Sequence, residues 1–212
     1  MNINGRIDGV ILDVDGTLWD STPIVADAWT KALREEYGME TLVTSDMLKK
    51  LFGKTMSAIA DALLPELEPE KRYACMGICE EYEHRALQED PCRICYPEVI
   101  ETVKKLSERV PVFIVSNCQD GYIELFMEKT GLTSYVTDTE CYGRTLKNKD
   151  ENIRMVVERN QLAHPVYVGD TQGDCDASYA AGVPFVFAKY GFGQADKKAA
   201  EIAEFAEKLQ NV

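Results

Sequence analysis

Val10-Ile11-Leu12-Asp13-Val14-Asp15-Gly16-Thr17-Leu18 is the stretch that decides the reading of this chain. An apolar run ends in two carboxylates one residue apart, and Gly-Thr follows. Val10 to Leu12 read as a buried strand, and Gly16-Thr17 breaks it into a loop. Asp13 and Asp15 then stand at the C-terminal tip of a strand, the edge at which open α/β sheets bind ligands. Two acidic groups there are costly unless something positive lies between them. A hard divalent cation such as Mg²⁺, which prefers oxygen ligands, meets that need. Taken alone, the stretch also fits a polar loop with two solvated aspartates.

Outward from this point, β-rich apolar runs recur at 9–14, 111–115, 134–137, 165–169 and 184–187. Helical patterns lie between the later ones, at 98–108, 119–130, 150–161 and 174–181. Strands alternating with helices predict a parallel sheet in a doubly wound α/β fold. A final Ala/Glu/Lys-rich stretch, 194–209, reads as a surface helix. The interval 20–91 breaks the alternation. It holds no convincing strand, and 23–37, 45–51, 55–64 and 69–89 read as helices punctuated by Gly38, Gly53 and Pro65. It is either a helical excursion or a separate helical lid, and Tyr96-Pro97 marks the return to the core.

The 212 residues suit one sizeable core or a core with a modest insertion. A net charge of −13 argues against general nucleic-acid binding, which needs a basic footprint. It also means that an anionic substrate must be drawn in locally, by a metal and a few lysines. The N-terminal Met1-Asn2-Ile3-Asn4-Gly5-Arg6 has no apolar signal-peptide core, and no run approaches transmembrane length, so a cytoplasmic location away from membranes is expected. Seven cysteines without a secretory signal read as reduced thiols. Cys75-x3-Cys79 and Cys92-x2-Cys95 are also spaced like two halves of a four-thiolate zinc site, although only the second pair has a common zinc spacing. Cys75 and Cys79 otherwise read as small buried hydrophobes one helical turn apart. Cys118 and Cys175 follow strand ends and would make the protein oxidation-sensitive. His84 and His164 are isolated and take no role.

Three further segments complete a pattern with Asp13-Val14-Asp15-Gly16-Thr17. They are the strand Val112-Phe113-Ile114-Val115-Ser116-Asn117, then Lys149 at the start of a helical stretch, then Val166-Tyr167-Val168-Gly169-Asp170-Thr171-Gln172-Gly173-Asp174. In this order, over nearly the whole chain from Val10 to about Phe187, they resemble the four motifs of the haloacid dehalogenase-like hydrolase superfamily. The resemblance implies a Rossmann-like core over 1–19 and 92–212 with an inserted α-helical cap over 20–91. Within the superfamily the sequence most resembles phosphoglycolate phosphatase-like members, whose substrates are small phosphomonoesters.

On this resemblance, Asp13 is the nucleophile that takes the phosphoryl group as an aspartyl-phosphate. Asp15 is the general acid/base, and its backbone carbonyl joins Asp13, Asp170 and Asp174 around Mg²⁺. The dehalogenase branch lacks an aspartate at the position of Asp15 and the phosphonatase branch has a small residue there, so Asp15 favours phosphate-ester chemistry. Ser116 and Asn117 would donate to phosphoryl oxygens, or cap the helix that follows. Thr17 offers a hydroxyl to the phosphate or a local turn bond. Lys149, just before the acidic first turn Asp150-Glu151, would point its ammonium at the nucleophile; Lys147 competes for this role, since neither lysine precedes the proline common in the family. Lys54, in the glycine turn Leu51-Phe52-Gly53-Lys54-Thr55 of the lid, is a candidate to recognise a carboxylate or second phosphate of the leaving group. Trp19 and Thr22 would form hinge or pocket wall. Asp176 points elsewhere at helical spacing.

The resulting expectation is a Mg²⁺-dependent phosphatase acting on a small phosphorylated metabolite, as a monomer or homodimer. A sugar-phosphate mutase of the β-phosphoglucomutase type shares these motifs. A non-catalytic phosphate-binding regulator and a zinc-linked interaction module are the alternatives from other classes.

Overall fold

The computed structural model describes residues 7–195, so the expected helix over 194–209 lies almost wholly outside the described residues. Its centre is a five-stranded parallel sheet in the order β3-β2-β1-β4-β5. The strands are β1 (Gly9–Leu12), β2 (Val112–Ser116), β3 (Asp138–Cys141), β4 (Pro165–Gly169) and β5 (Phe185–Phe187). β1 is central, with Val10 opposite Val112 on one side and Val166 on the other. All its residues are buried, as a strand covered on both faces requires. The period of two separates the faces. Val10, Leu12, Val112 and Ile114 belong to one apolar cluster. Ile11, Phe113 and Val115 belong to another, closed by Ile153 and Val156 of α8 (Lys149–Arg159) and Cys175 of α9 (Gln172–Ala180).

The expected doubly wound sheet is therefore present, with one strand displaced. The run at 134–137 is not a strand; β3 begins at Asp138, opposite Phe113. Tyr135 and Val136 pack on the core from a loop. The strand that forms instead is polar because it is an edge, and Arg159 of α8 clamps it: Nε lies 2.5 Å from Asp138 Oδ2 and Nη1 lies 2.7 Å from Glu140 Oε2. The core helices α5 (Val99–Ser107), α6 (Tyr122–Thr130), α8 and α9 fall at the expected places, with α6 starting three residues later than the pattern suggested. The short α7 (Tyr142–Thr145) had no sequence signal.

Residues between β1 and α5 form α1 (Thr22–Tyr37), α2 (Ser45–Leu51), α3 (Met56–Leu63) and α4 (Pro69–Glu89), and no strand. Local chemistry sets their ends: proline in the first turn of α1 and α4, and threonine side chains accepting from backbone amides at the starts of α2 and α3. The chain leaving the sheet and the chain returning to it run side by side: the Asp20 amide donates to the Ile94 carbonyl at 2.8 Å and the Tyr96 amide to the Leu18 carbonyl at 3.1 Å. No helix among the described residues is long and apolar enough to cross a membrane.

Candidate active site

Asp13, Ser116 and Asp170 directly follow or end three adjacent strands, so sheet topology alone collects them at one edge. This is the crevice beside the strand where chain order reverses. Lys149 opens α8 behind an Asn148–Glu151 capping box, which fixes where the helix begins and hence where the lysine points. Its Nζ lies 3.0 Å from Asp13 Oδ1 and 2.5 Å from Asp174 Oδ1, all three groups buried. Lys147, the competitor, is exposed and turns its ammonium toward Met155 Sδ at 3.7 Å. Asp174 is held from its other side by the Thr171 amide at 2.9 Å and hydroxyl at 2.6 Å, at the start of α9.

Carboxylate oxygens of Asp13, Asp170 and Asp174 lie within 4.8 Å of one another. Burial pushes the Asp13 carboxyl up, against the attraction of Lys149 and with the repulsion of Asp174 and Asp170 behind it. Burial and the charge of Asp174 push Asp170 up to about 7, although the Phe192 amide donates to it at 2.7 Å. Burial opposes the charge on Lys149, but Asp13 and Asp174 more than offset it and hold the ammonium well above the ordinary lysine value. Three buried carboxylates with one lysine remain short of positive charge, and the donors are all hard oxygens. The cluster fits a divalent cation of the Mg²⁺ type.

Two glycines let the backbone close around Asp170. Gly16 has φ +83°, and a Cβ there would lie 2.2 Å from Oδ2 of Asp170. A Cβ on Gly191 would lie 2.3 Å from the Asp170 Cβ. The segment Gly191-Phe192-Gly193 was not singled out from the sequence, although two glycines after the last strand signal a close backbone approach.

Asp15 turns away from the acidic cluster. One oxygen, Oδ1, accepts from Ser21 Oγ at 2.6 Å, Tyr122 OH at 2.7 Å and Trp19 Nε1 at 3.0 Å. Burial raises its carboxyl to about 6, and those three donors restrain the rise. Trp19 thus touches the acid directly; Thr22 binds Asp20 Oδ1 at 2.5 Å and Ser45 Oγ at 2.6 Å.

Asp13, Asp15, Ser116, Asn117 and Lys54 line one cavity. Phe52, Gly53, Met56 and Ile59, together with Trp29 of α1 and Glu83 of α4, form the wall contributed by the helical insert. Asn117 joins the two walls, its Nδ2 donating to the Gly53 carbonyl at 2.7 Å, while its Oδ1 is buried without a hydrogen-bond partner. Thr17 is outside this cavity; its hydroxyl lies 3.4 Å from Asp170 Oδ1. Ser21, Tyr122, Gln119 and Glu83 carried no sequence signal, because only the fold brings these scattered residues to the strand tips.

The four cysteines spaced like a zinc site do not assemble one. Cys75 and Cys79 are buried on α4 among apolar side chains, and Cys92 and Cys95 face each other with sulfurs 3.9 Å apart. Among the described residues, the metal-ligating cluster is the aspartate triad.

The sequence resembles curated phosphoglycolate phosphatases. It is 25% identical over 209 residues to that of Vibrio vulnificus strain CMCP6, covering 92% of this chain and 90% of the relative. It is 26% identical over 218 residues to that of Escherichia coli K12, covering 91% and 85%. The fold is shared with a haloacid dehalogenase-like family hydrolase from Streptococcus pneumoniae (TM-score 0.78, 19% identity, 95% and 98% covered). It is also shared with a predicted phosphatase from Clostridium acetobutylicum (TM-score 0.80, 16% identity, 98% and 100% covered). The profile of the haloacid dehalogenase-like hydrolases matches residues 10–188, from the first residue of the β1 apolar run to just beyond β5, and the chain belongs to that family.

Proposed function

We propose that this protein is a Mg²⁺-dependent phosphatase that hydrolyses a small phosphomonoester through an aspartyl-phosphate on Asp13. The observation that carries the reading is the buried Lys149 bridging Asp13 and Asp174 beside a cavity that Ser116, Asn117 and Asp15 also line. The names of the phosphoglycolate phosphatases it resembles support the reaction class.

In this reading an Asp13 oxygen attacks phosphorus, an acyl-phosphate bond forms, and the ester P–O bond breaks. Asp15 gives its proton to the departing alkoxide, and takes one back from the water that later hydrolyses the acyl phosphate. Its carboxyl, raised to about 6, suits a group that must hold and release a proton near neutrality. Lys149 fixes the attacking carboxylate and offsets charge on the phosphoryl oxygens, while Ser116 and Asn117 donate to them. Asp13 and Asp170, with the Asp15 carbonyl and Asp174, would hold Mg²⁺, which would supply further neutralisation of that charge. Helices α1–α4 act as a lid over 20–91, swinging on the paired segments at Leu18–Asp20 and Ile94–Tyr96, and exclude water during transfer. Lys54, on the lid wall, offers the incoming dianion a cation.

The test is release of inorganic phosphate from a panel of small phosphomonoesters, with Mg²⁺ and with chelator. Mg²⁺-dependent release supports the reading. Isomer formation without net release would point to a mutase, and no turnover of any ester would remove it.

A further inference from the structure

Glu83 has no place in the reaction just described, yet it is a carboxylate only 3% exposed on the wall of the same cavity as Asp13. Its oxygens each accept one neutral N–H donor: Trp29 Nε1 on Oε2 at 2.8 Å and Gln119 Nε2 on Oε1 at 2.9 Å. Among the described residues no lysine or arginine forms an ion pair with it. Each carboxylate oxygen can accept a further donor, and a buried carboxylate without a cation is costly. Of the other charged groups on this wall, Asp13 and Asp15 are acidic and Lys54, the cation, is exposed to solvent. A ligand with a carboxylate would add a fourth acid to this wall; a ligand with a hydroxyl would complete the hydrogen bonding of Glu83, and one with an ammonium would also hold it ionised.

We infer that Glu83 sets the leaving-group specificity of this site: the alcohol released from the phosphoryl group carries a hydrogen-bond donor, an ammonium above all, and no carboxylate. The inference rests on the phosphatase reading and adds a substrate class to it. Burial and the nearby charge of Asp15 push the Glu83 carboxyl up to about 8, so near neutrality it keeps its proton until a ligand ammonium favours the ionised form. The wall that discriminates comes from the helical insert and not from the four motifs, so kinship at 25–26% identity does not carry a relative's substrate with it.

The experiment compares kcat/KM for four two-carbon esters, O-phosphoethanolamine, 2-hydroxyethyl phosphate, ethyl phosphate and 2-phosphoglycolate, with p-nitrophenyl phosphate as reference. The two donor-bearing esters are expected to exceed 2-phosphoglycolate by at least about tenfold, the scale of one charge-assisted hydrogen bond. In Glu83→Gln, which keeps the shape but cannot ionise against an ammonium, the ratio of O-phosphoethanolamine to 2-phosphoglycolate should fall by about ten- to a hundredfold. A wild-type enzyme that turns over the reference ester but handles 2-phosphoglycolate as well as the donor-bearing esters overturns the inference and leaves the phosphatase reading standing. An unchanged ratio in a folded Glu83→Gln protein overturns it too. No turnover of any ester, the reference included, removes the phosphatase reading and this inference with it. The wild-type ranking decides the matter even where the variant does not fold.

Discussion

The Nζ of Lys149 lies 3.0 Å from Oδ1 of Asp13, across 136 residues of sequence. The contact makes the two side chains one unit. Burial drives the carboxyl toward its neutral form, and the ammonium opposes that drive. Asp174, 2.5 Å away on the other side, keeps the ammonium charged.

Removing the charge of Lys149 should therefore disable Asp13 as a nucleophile. Lys149→Met is expected to lower kcat by about 10²–10³-fold, the scale of losing one positioned charge at a transition state. Lys147→Met should stay within about twofold, because that ammonium faces solvent and Met155. Steady-state phosphate release by the two variants, each checked for folding by circular dichroism, tests the assignment. Equal losses would return the choice between the lysines to an open question of sequence alignment.

The two aspartates of the first strand tip should fail in different ways. Asp13→Asn removes the attacking carboxylate, so no ester should be turned over and no protein-bound phosphate should form. Asp15→Asn removes the proton donor, held by Ser21, Tyr122 and Trp19. An aryl phosphate, whose leaving group needs little protonation, should still phosphorylate Asp13 in this variant, and the second step should stall. Rapid acid quench would show a phosphorylated protein in stoichiometric yield from Asp15→Asn and none from Asp13→Asn. Trapped phosphate on the Asp13→Asn protein would move the nucleophile elsewhere.

Much of this site was legible because its parts are local. Asp13 and Asp170 follow short apolar runs that end in turn residues, the pattern of a buried strand, and Lys149 precedes an acidic first turn that marks a helix start. The helices of the insert were legible for the same reason, with 45–51 and 69–89 matching α2 and α4 residue for residue. What failed to show was non-local. Residues 134–137 have the better strand composition, but pairing with β2 starts at Thr137, whose amide donates to the Val112 carbonyl at 2.7 Å. Arg159 then makes a polar edge tolerable from a helix two elements away. Glu83 lies in a charged stretch of α4, beside Glu80 and Glu81, and nothing in that stretch tells which carboxylate the fold will bury against Trp29 and Gln119.

Asn117 offers a test of the lid. Its Nδ2 holds the Gly53 carbonyl, and so ties the end of β2 to the loop that carries Lys54. Asn117→Ala deletes the hydrogen bond between this strand end and the loop, a loss of about 0.5–1.5 kcal/mol. KM for small phosphomonoesters should rise by roughly two- to tenfold. If Asn117 serves only the phosphoryl group, the loss should appear in kcat with KM unchanged. Hydrogen exchange across 52–55 separates the cases independently, since an untied loop exchanges faster and a tied one does not.

The raised carboxyls predict how stability responds to pH and metal. Asp13 is raised, Asp170 stands at about 7 and Glu83 at about 8, each chiefly through burial. Between the unfolded carboxyl range near pH 4 and these folded values, the native metal-free protein binds more protons than the unfolded chain. Stability from these groups is therefore full below the unfolded value and is lost as the pH rises through the folded ones. In chelator, Tm should fall from pH 5.5 to pH 8. On the proposed function Mg²⁺ would replace protons at Asp13 and Asp170, so it should raise Tm more at pH 8 than at pH 5.5, where protons compete for the same oxygens. Glu83 lies outside the metal cluster, so a residual downward slope should persist in Mg²⁺ and flatten in Glu83→Gln. Thermal scans of the two proteins at both pH values, with Mg²⁺ and with chelator, check each part separately. A Tm in chelator that climbs across this range would mean that the acidic cluster is ionised in the native protein and has found its positive charge elsewhere.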